Sequence, residues 1–159
     1  PLIGEYELIE YESQTEIDLN ADGIKGKDLL LELEELYFND NYDVNNNIVG
    51  YELSISDYYN IRMYAMLPGL QGIDDVPYSG TYAPSWLRYE LNIDEDLITV
   101  SDFERIPDDR NYSSELEEVT VIEPNIIQLI SSQSFIDYSD NEMKRIKTIA
   151  TFKKIQIDQ

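Results

Sequence analysis

The chain has 159 residues, 42% of them hydrophobic, with 33 acids against 11 bases and a formal charge of −22. That length suits one domain with a real core, and that apolar content belongs to a folded chain rather than a disordered one. The charge repels phosphates and excludes a nucleic-acid partner, while the absence of cysteine and histidine removes disulfides, thiolate or imidazole metal sites and histidine-dependent nucleophiles.

The opening run GEYELIEYE, residues 4–12, reads as a strand carrying Glu5, Glu7, Glu10 and Glu12. The chain begins on Pro1 rather than methionine, which predicts a processed product whose leader lies upstream. No run is long enough to span a bilayer.

Residues 18–28, DLNADGIKGKD, form the densest group of oxygen-bearing side chains in the sequence. Asp18, Asn20 and Asp22 alternate and Gly23 follows, as in the first half of a calcium loop. Ile24 stands where such a loop offers a backbone carbonyl, which leaves its side chain to anchor the loop in the core. The second half departs from the EF-hand pattern, because its last ligand position holds Leu29. Either Asp28 completes the shell from one place earlier, or Glu32 reaches back from one helical turn later. Asp28 also suits the N-cap of the following helix. Calcium fits this donor set because it is a hard ion that takes six to eight oxygens with tolerant geometry. The competing reading is an empty Asx-type polar turn.

KDLLLELEELYF, residues 27–38, repeats Leu29, Leu30, Leu33, Leu36 and Tyr37 at helical spacing, with Glu32, Glu34 and Glu35 largely opposite. This predicts a short amphipathic helix that plugs one end of a barrel or covers a seam. Strand patterns then dominate. Residues 49–56, 59–67 and 87–94 alternate apolar and polar with a period of two, and 97–103, 117–123, 125–136 and 146–157 follow as further strands. With the opening run this makes about eight strands joined by turn-rich breaks. The expected fold is therefore a single domain over residues 1–159, all-β, an antiparallel up-and-down barrel with one short N-terminal helix.

Two of the breaks carry candidate chemistry. Residues 72–86 hold Asp75, Tyr78, Tyr82 and Trp86, a set that at a barrel mouth binds a sugar or small cationic ligand, or that simply covers the core. Residues 102–115 hold Asp102, Glu104, Asp108 and Asp109, and a facing carboxylate pair there would imply a hydrolase. The last strand gathers Lys144, Arg145, Lys147, Lys153 and Lys154. Closure of the barrel by pairing the first and last strands would set these bases beside the glutamates of the first.

LIGEYELIEY followed by IDLNADGIKGKDLLLELEEL resembles the lipocalin-like domains of secreted lipoproteins from Bacteroides-type bacteria. The likeness rests on Gly4-Glu5-Tyr6, on Asp18, Asn20, Asp22, Gly23 and Asp28, and on the leucines from Leu29 to Leu36. It implies an eight-stranded barrel, export as a lipoprotein and attachment at the bacterial cell envelope or surface, through a lipid anchor upstream of Pro1. It implies no enzymatic activity. It also implies a last-strand base over the ring of Tyr6, for which Arg145 and Lys147 are the candidates.

Overall fold

A computed structural model describes residues 2–32, 52–58, 60–70, 82–94, 97–102 and 115–156. Among the described residues nine strands follow one another: β1 (Gly4–Ile17), β2 (Gly26–Asp28), β3 (Glu52–Tyr58), β4 (Asn60–Leu70), β5 (Tyr82–Asp94), β6 (Leu97–Asp102), β7 (Glu115–Glu123), β8 (Ile126–Asp137) and β9 (Glu142–Lys154). A helix opens at residues 29–32, where that part of the description ends. Eight strands form one antiparallel sheet in the order β6-β5-β4-β3-β1-β9-β8-β7, nearly closed into a barrel, and the short β2 pairs with β1 outside this path.

The meander follows from alternation. On β8, Ile127, Leu129, Ser131, Gln133 and Phe135 point inward, and on β9 Ile146, Thr148, Ala150 and Phe152 do the same. Leu53, Ile55, Met63, Ala65 and Leu91 supply the opposite wall. On β1 the phase slips once. Tyr6 and Leu8 face in, the register shifts between Leu8 and Glu10, and Tyr11 and Ser13 then face in. Ile9 is the extra residue of this bulge and is 40% exposed.

First and last strands do pair, from Tyr6 opposite Lys154 to Ser13 opposite Thr148. Only one opposite-charge couple faces directly, Glu7 with Lys153. Arg145 and Lys147 instead reach over β8 to Glu115 and Glu117 on β7, with contacts of 3.5 and 3.0 Å. The base over the Tyr6 ring is Lys154, its Nζ 5.9 Å from the centroid, and not Arg145 or Lys147. Register decides this, because Lys154 is the residue opposite Tyr6 while Arg145 and Lys147 lie near the other end of the strand. Gly4 makes the close approach possible: its φ is +150°, and a Cβ there would meet Lys154 Cε at 2.6 Å.

The seam lies between β6 and β7, the two ends of the strand order, with no ladder between them among the described residues. A side chain from β5 reaches across it: the Leu116 N–H of β7 donates to the Tyr89 hydroxyl at 3.0 Å. At the β1/β8/β9 end, Ile17, Leu19 and Leu29 close the core beneath the barrel. Leu33, Leu36 and Tyr37 of the expected helical stripe lie outside the described residues.

Candidate metal centre

The segment that leaves β1 is shaped by its own carboxylates. Ile17 and Leu19 are buried on either side of Asp18, which is itself only 1% exposed. The chain then bends, with Ala21 at φ 60° and Gly23 at φ 82°. Three Asx contacts hold the bend. The Gly23 N–H donates to Asp18 Oδ2 at 3.0 Å, the Asp22 N–H to Asn20 Oδ1 at 3.1 Å, and the Ile24 N–H to Asp22 Oδ1 at 2.8 Å. Asp28 accepts from the Leu31 N–H at 3.2 Å and so caps the helix.

The helix returns Glu32 to the loop. Its Oε2 accepts from the buried Leu19 N–H at 3.1 Å, and Gly26 leaves the space it needs, since a Cβ there would lie 3.0 Å from Oε1. Carboxylate oxygens of Asp18, Asp22 and Glu32 all lie within 4.8 Å of one another. Two oxygens bound to one calcium ion at 2.3–2.6 Å can be separated by at most about 5 Å, so this spacing suits a shared ion.

Electrostatics sharpen the picture. Burial pushes the Glu32 carboxyl up, the Leu19 N–H opposes that, and the negative charges of Asp22 and Asp18 push it further up. Asp18 Oδ1 is buried and accepts no hydrogen bond. A buried carboxylate oxygen without a donor is costly, by about 1–3 kcal/mol or more for a charged group, unless something positive faces it.

Behind the loop lies a second set of contacts. The Asp18 N–H donates to Asp137 Oδ1 at 3.3 Å, and the Asp18 carbonyl accepts from the Tyr138 N–H at 2.8 Å. Asp137 Oδ2 is held by Lys144 Nζ at 2.7 Å, with Lys25 Nζ at 3.9 Å. Burial is the strongest influence on the Asp137 carboxyl and pushes it up. The donors from Lys144, Ser139 and the Asp18 backbone together outweigh burial and hold it well below the ordinary carboxylate range. Asp137 therefore fixes the loop's root to the β8–β9 hairpin, and Lys144 already neutralises it.

The fold sorts the five loop residues that the sequence pattern marks, Asp18, Asn20, Asp22, Ile24 and Asp28. Asp18 and Asp22 come together. Asn20 turns its oxygen to the Asp22 N–H, and Asp28 caps the helix instead of joining the cluster. The third carboxylate is Glu32, placed by periodicity on the polar side of the helix yet only 6% exposed. The buried Leu19 N–H at the barrel base takes this carboxylate as its acceptor and holds the acid inward. Ile24 does not anchor the loop: its side chain is 68% exposed, because the Asx turn at Asp22 projects it outward. Asp137 was not foreseen, since sequence offers no signal that an acid 119 positions away meets the Asp18 N–H.

The aromatic candidates fall differently. Tyr82 and Trp86 belong to β5, opposite Leu70 and Met66, and not to a mouth loop. Pairing with β4 carries the strand through Pro84, which stands opposite Pro68. Two prolines can face each other where neither must donate across the pair. Asp75 and Tyr78 lie outside the described residues, as do Glu104, Asp108 and Asp109. Asp102 ends β6 opposite Tyr89.

No family model matches the sequence, and neither a curated protein nor a solved structure matches it significantly.

Proposed function

We propose that this chain is a non-catalytic, lipocalin-like β-barrel domain that carries one structural calcium ion, held by Asp18, Asp22 and Glu32. The single observation behind this reading is the fully buried Asp18 oxygen that accepts no hydrogen bond inside a cluster of three carboxylates. A divalent ion supplies the missing partner and offsets both the burial that raises Glu32 and the repulsion from Asp22 and Asp18 that adds to it. All-oxygen donors favour a hard cation, and the irregular set suits calcium better than the strict octahedron of magnesium. The ion's role is mechanical: it fastens the β1 exit, the bend and the first helical turn to one another.

A secreted, envelope-anchored lipoprotein is the setting we propose. Calcium outside the cytoplasm is abundant enough to fill even a weak site, with Kd about 10⁻⁴–10⁻³ M.

Calorimetric titration of the full chain with calcium, alongside thermal melts, tests the assignment. The expected result is one ion per chain, with stabilisation that grows with concentration and reaches about 2.7 kcal/mol at 100 times Kd. Asp22→Ala, at an exposed position, is expected to remove the response and leave the fold intact. Absence of heat and of a melting shift at ~10 mM calcium, well above the weakest extracellular sites, refutes the reading. So does an equal shift in Asp22→Ala.

A further inference from the structure

The barrel interior contains a second polar group, remote in chemistry from the carboxylate cluster. Register places Ser13, Thr148 and Ser131 side by side on β1, β9 and β8, all facing inward and all buried. One row further on, Tyr11 lies opposite Ala150, and on the other side Gln133 lies opposite Ile146. Gln133 and Tyr11 thus meet diagonally across β9, over the Thr148 hydroxyl. The Gln133 Nε2 group donates to the Tyr11 hydroxyl and, at 3.5 Å, to Ser131 Oγ. Ser131 Oγ and Thr148 Oγ1 are 2.9 Å apart, and Thr148 also donates to the Ser131 carbonyl at 3.3 Å.

One atom of this group is left over. Gln133 Oε1 is buried, in a side chain only 1% exposed, and accepts no hydrogen bond. Both donors of the planar amide point at Tyr11 and Ser131, so the carbonyl projects away from them. The inward positions next to Gln133 in register are all neutral: Ile146 directly opposite, Ser131 and Phe135 along β8, and Thr148 on the diagonal. Among the described residues no charged side chain bonds to Gln133, Ser131 or Thr148, and burial pushes the Tyr11 phenol far up, so it stays neutral. A single unused acceptor among hydroxyls rejects anions and has nothing to neutralise a cation. It fits a neutral donor.

We propose that the barrel interior contains a binding site for a neutral hydroxyl donor, centred on the Gln133 carbonyl oxygen beside Tyr11, Ser131 and Thr148. The O–H comes either from an internal water, which the neighbouring hydroxyls supply with the two to four partners it needs, or from a small organic guest. The site is independent of the calcium reading, and its test requires no metal.

Two measurements on the wild-type chain separate the sources. Water-selective nuclear Overhauser spectra report cross-peaks to the Gln133 side-chain amide if a long-lived water sits there. Titration with phenol, using toluene as the matched hydrocarbon, reports an organic guest if phenol binds at least tenfold more tightly. Gln133→Met, close in volume but without the acceptor, is expected to abolish the phenol selectivity and, for the water form, any water cross-peak to the neighbouring Thr148 backbone amide. A water cross-peak alone supports the water form, and phenol selectivity supports the organic form. No water cross-peak together with no binding of phenol, or with equal binding of phenol and toluene, overturns the proposal whatever the stability of the variant.

Discussion

At residue scale, the chemistry of this protein is governed by where a few oxygens find donors. Asp18 and Asp137 share the same corner, yet Asp137 is surrounded by ammonium and N–H groups while one Asp18 oxygen has no donor. Glu32 stands between these cases, satisfied by Leu19 but crowded by two negative neighbours. Its folded carboxyl titrates above the unfolded value of about 4.3. In ion-free buffer the native state therefore binds the extra proton between those two values, and stability falls as pH rises through that window. Glu32→Gln, which keeps an acceptor for Leu19, is expected to melt higher than wild type in chelator at pH 7. The gap should close near pH 4, and the variant should lose the calcium response. A lower melt at pH 7 in chelator would show that the Leu19 hydrogen bond to a charged acceptor outweighs burial and repulsion. Gly4 is decided by backbone: at φ +150° any side chain is strained and also crowds Lys154. Gly4→Ala should lose about 1–3 kcal/mol in urea unfolding.

At the scale of elements, two side-chain contacts add to what the strand ladders hold. The β6–β7 seam relies on the Tyr89 hydroxyl as acceptor for the Leu116 N–H. Tyr89→Phe strands that N–H and should destabilise by about 1–3 kcal/mol. Hydrogen exchange is the decisive readout, with faster exchange expected at Leu116 than at the paired amides of β8. The β8–β9 hairpin is tied by Asp137 to Lys144 and to the root of the loop. Because the folded Asp137 carboxyl lies below its unfolded value of about 3.9, its contribution is complete above that pH. It is lost as pH falls further. Asp137→Asn should therefore lower the melting temperature at neutral pH and flatten its decline below pH ~4. An unchanged acid limb would assign that decline to other carboxylates.

For the whole molecule, a charge of −22 makes self-repulsion the background against which every local effect is read. Screening at 0.15 M salt acts over about 8 Å, so sodium chloride should raise the melting temperature gradually and without saturation at low millimolar levels. Calcium should add a saturable increment on top of that. Asp22→Ala separates the two, keeping the salt response and losing the calcium one. Loss of both together would mean that calcium acts only as another screening ion.

Periodicity alone carried the barrel, because a strand with one wet face must alternate, and the alternation at Leu53, Ile55, Met63, Leu91 and Leu129 is unbroken. Even the bulge on β1 is written locally, in the change of phase from Glu5 and Glu7 to Glu10 and Glu12. The paired spacing of Asp18, Asp22 and Gly23 likewise determined a tight acidic bend, since Asx turns close within a few residues. Tertiary structure alone decided which third acid joins them, which lysine covers Tyr6, and that Asp137 and Gln133 face buried partners across the sheet. Those outcomes depend on register between strands distant in sequence and on which N–H groups the packed core leaves without partners, neither of which any local pattern encodes.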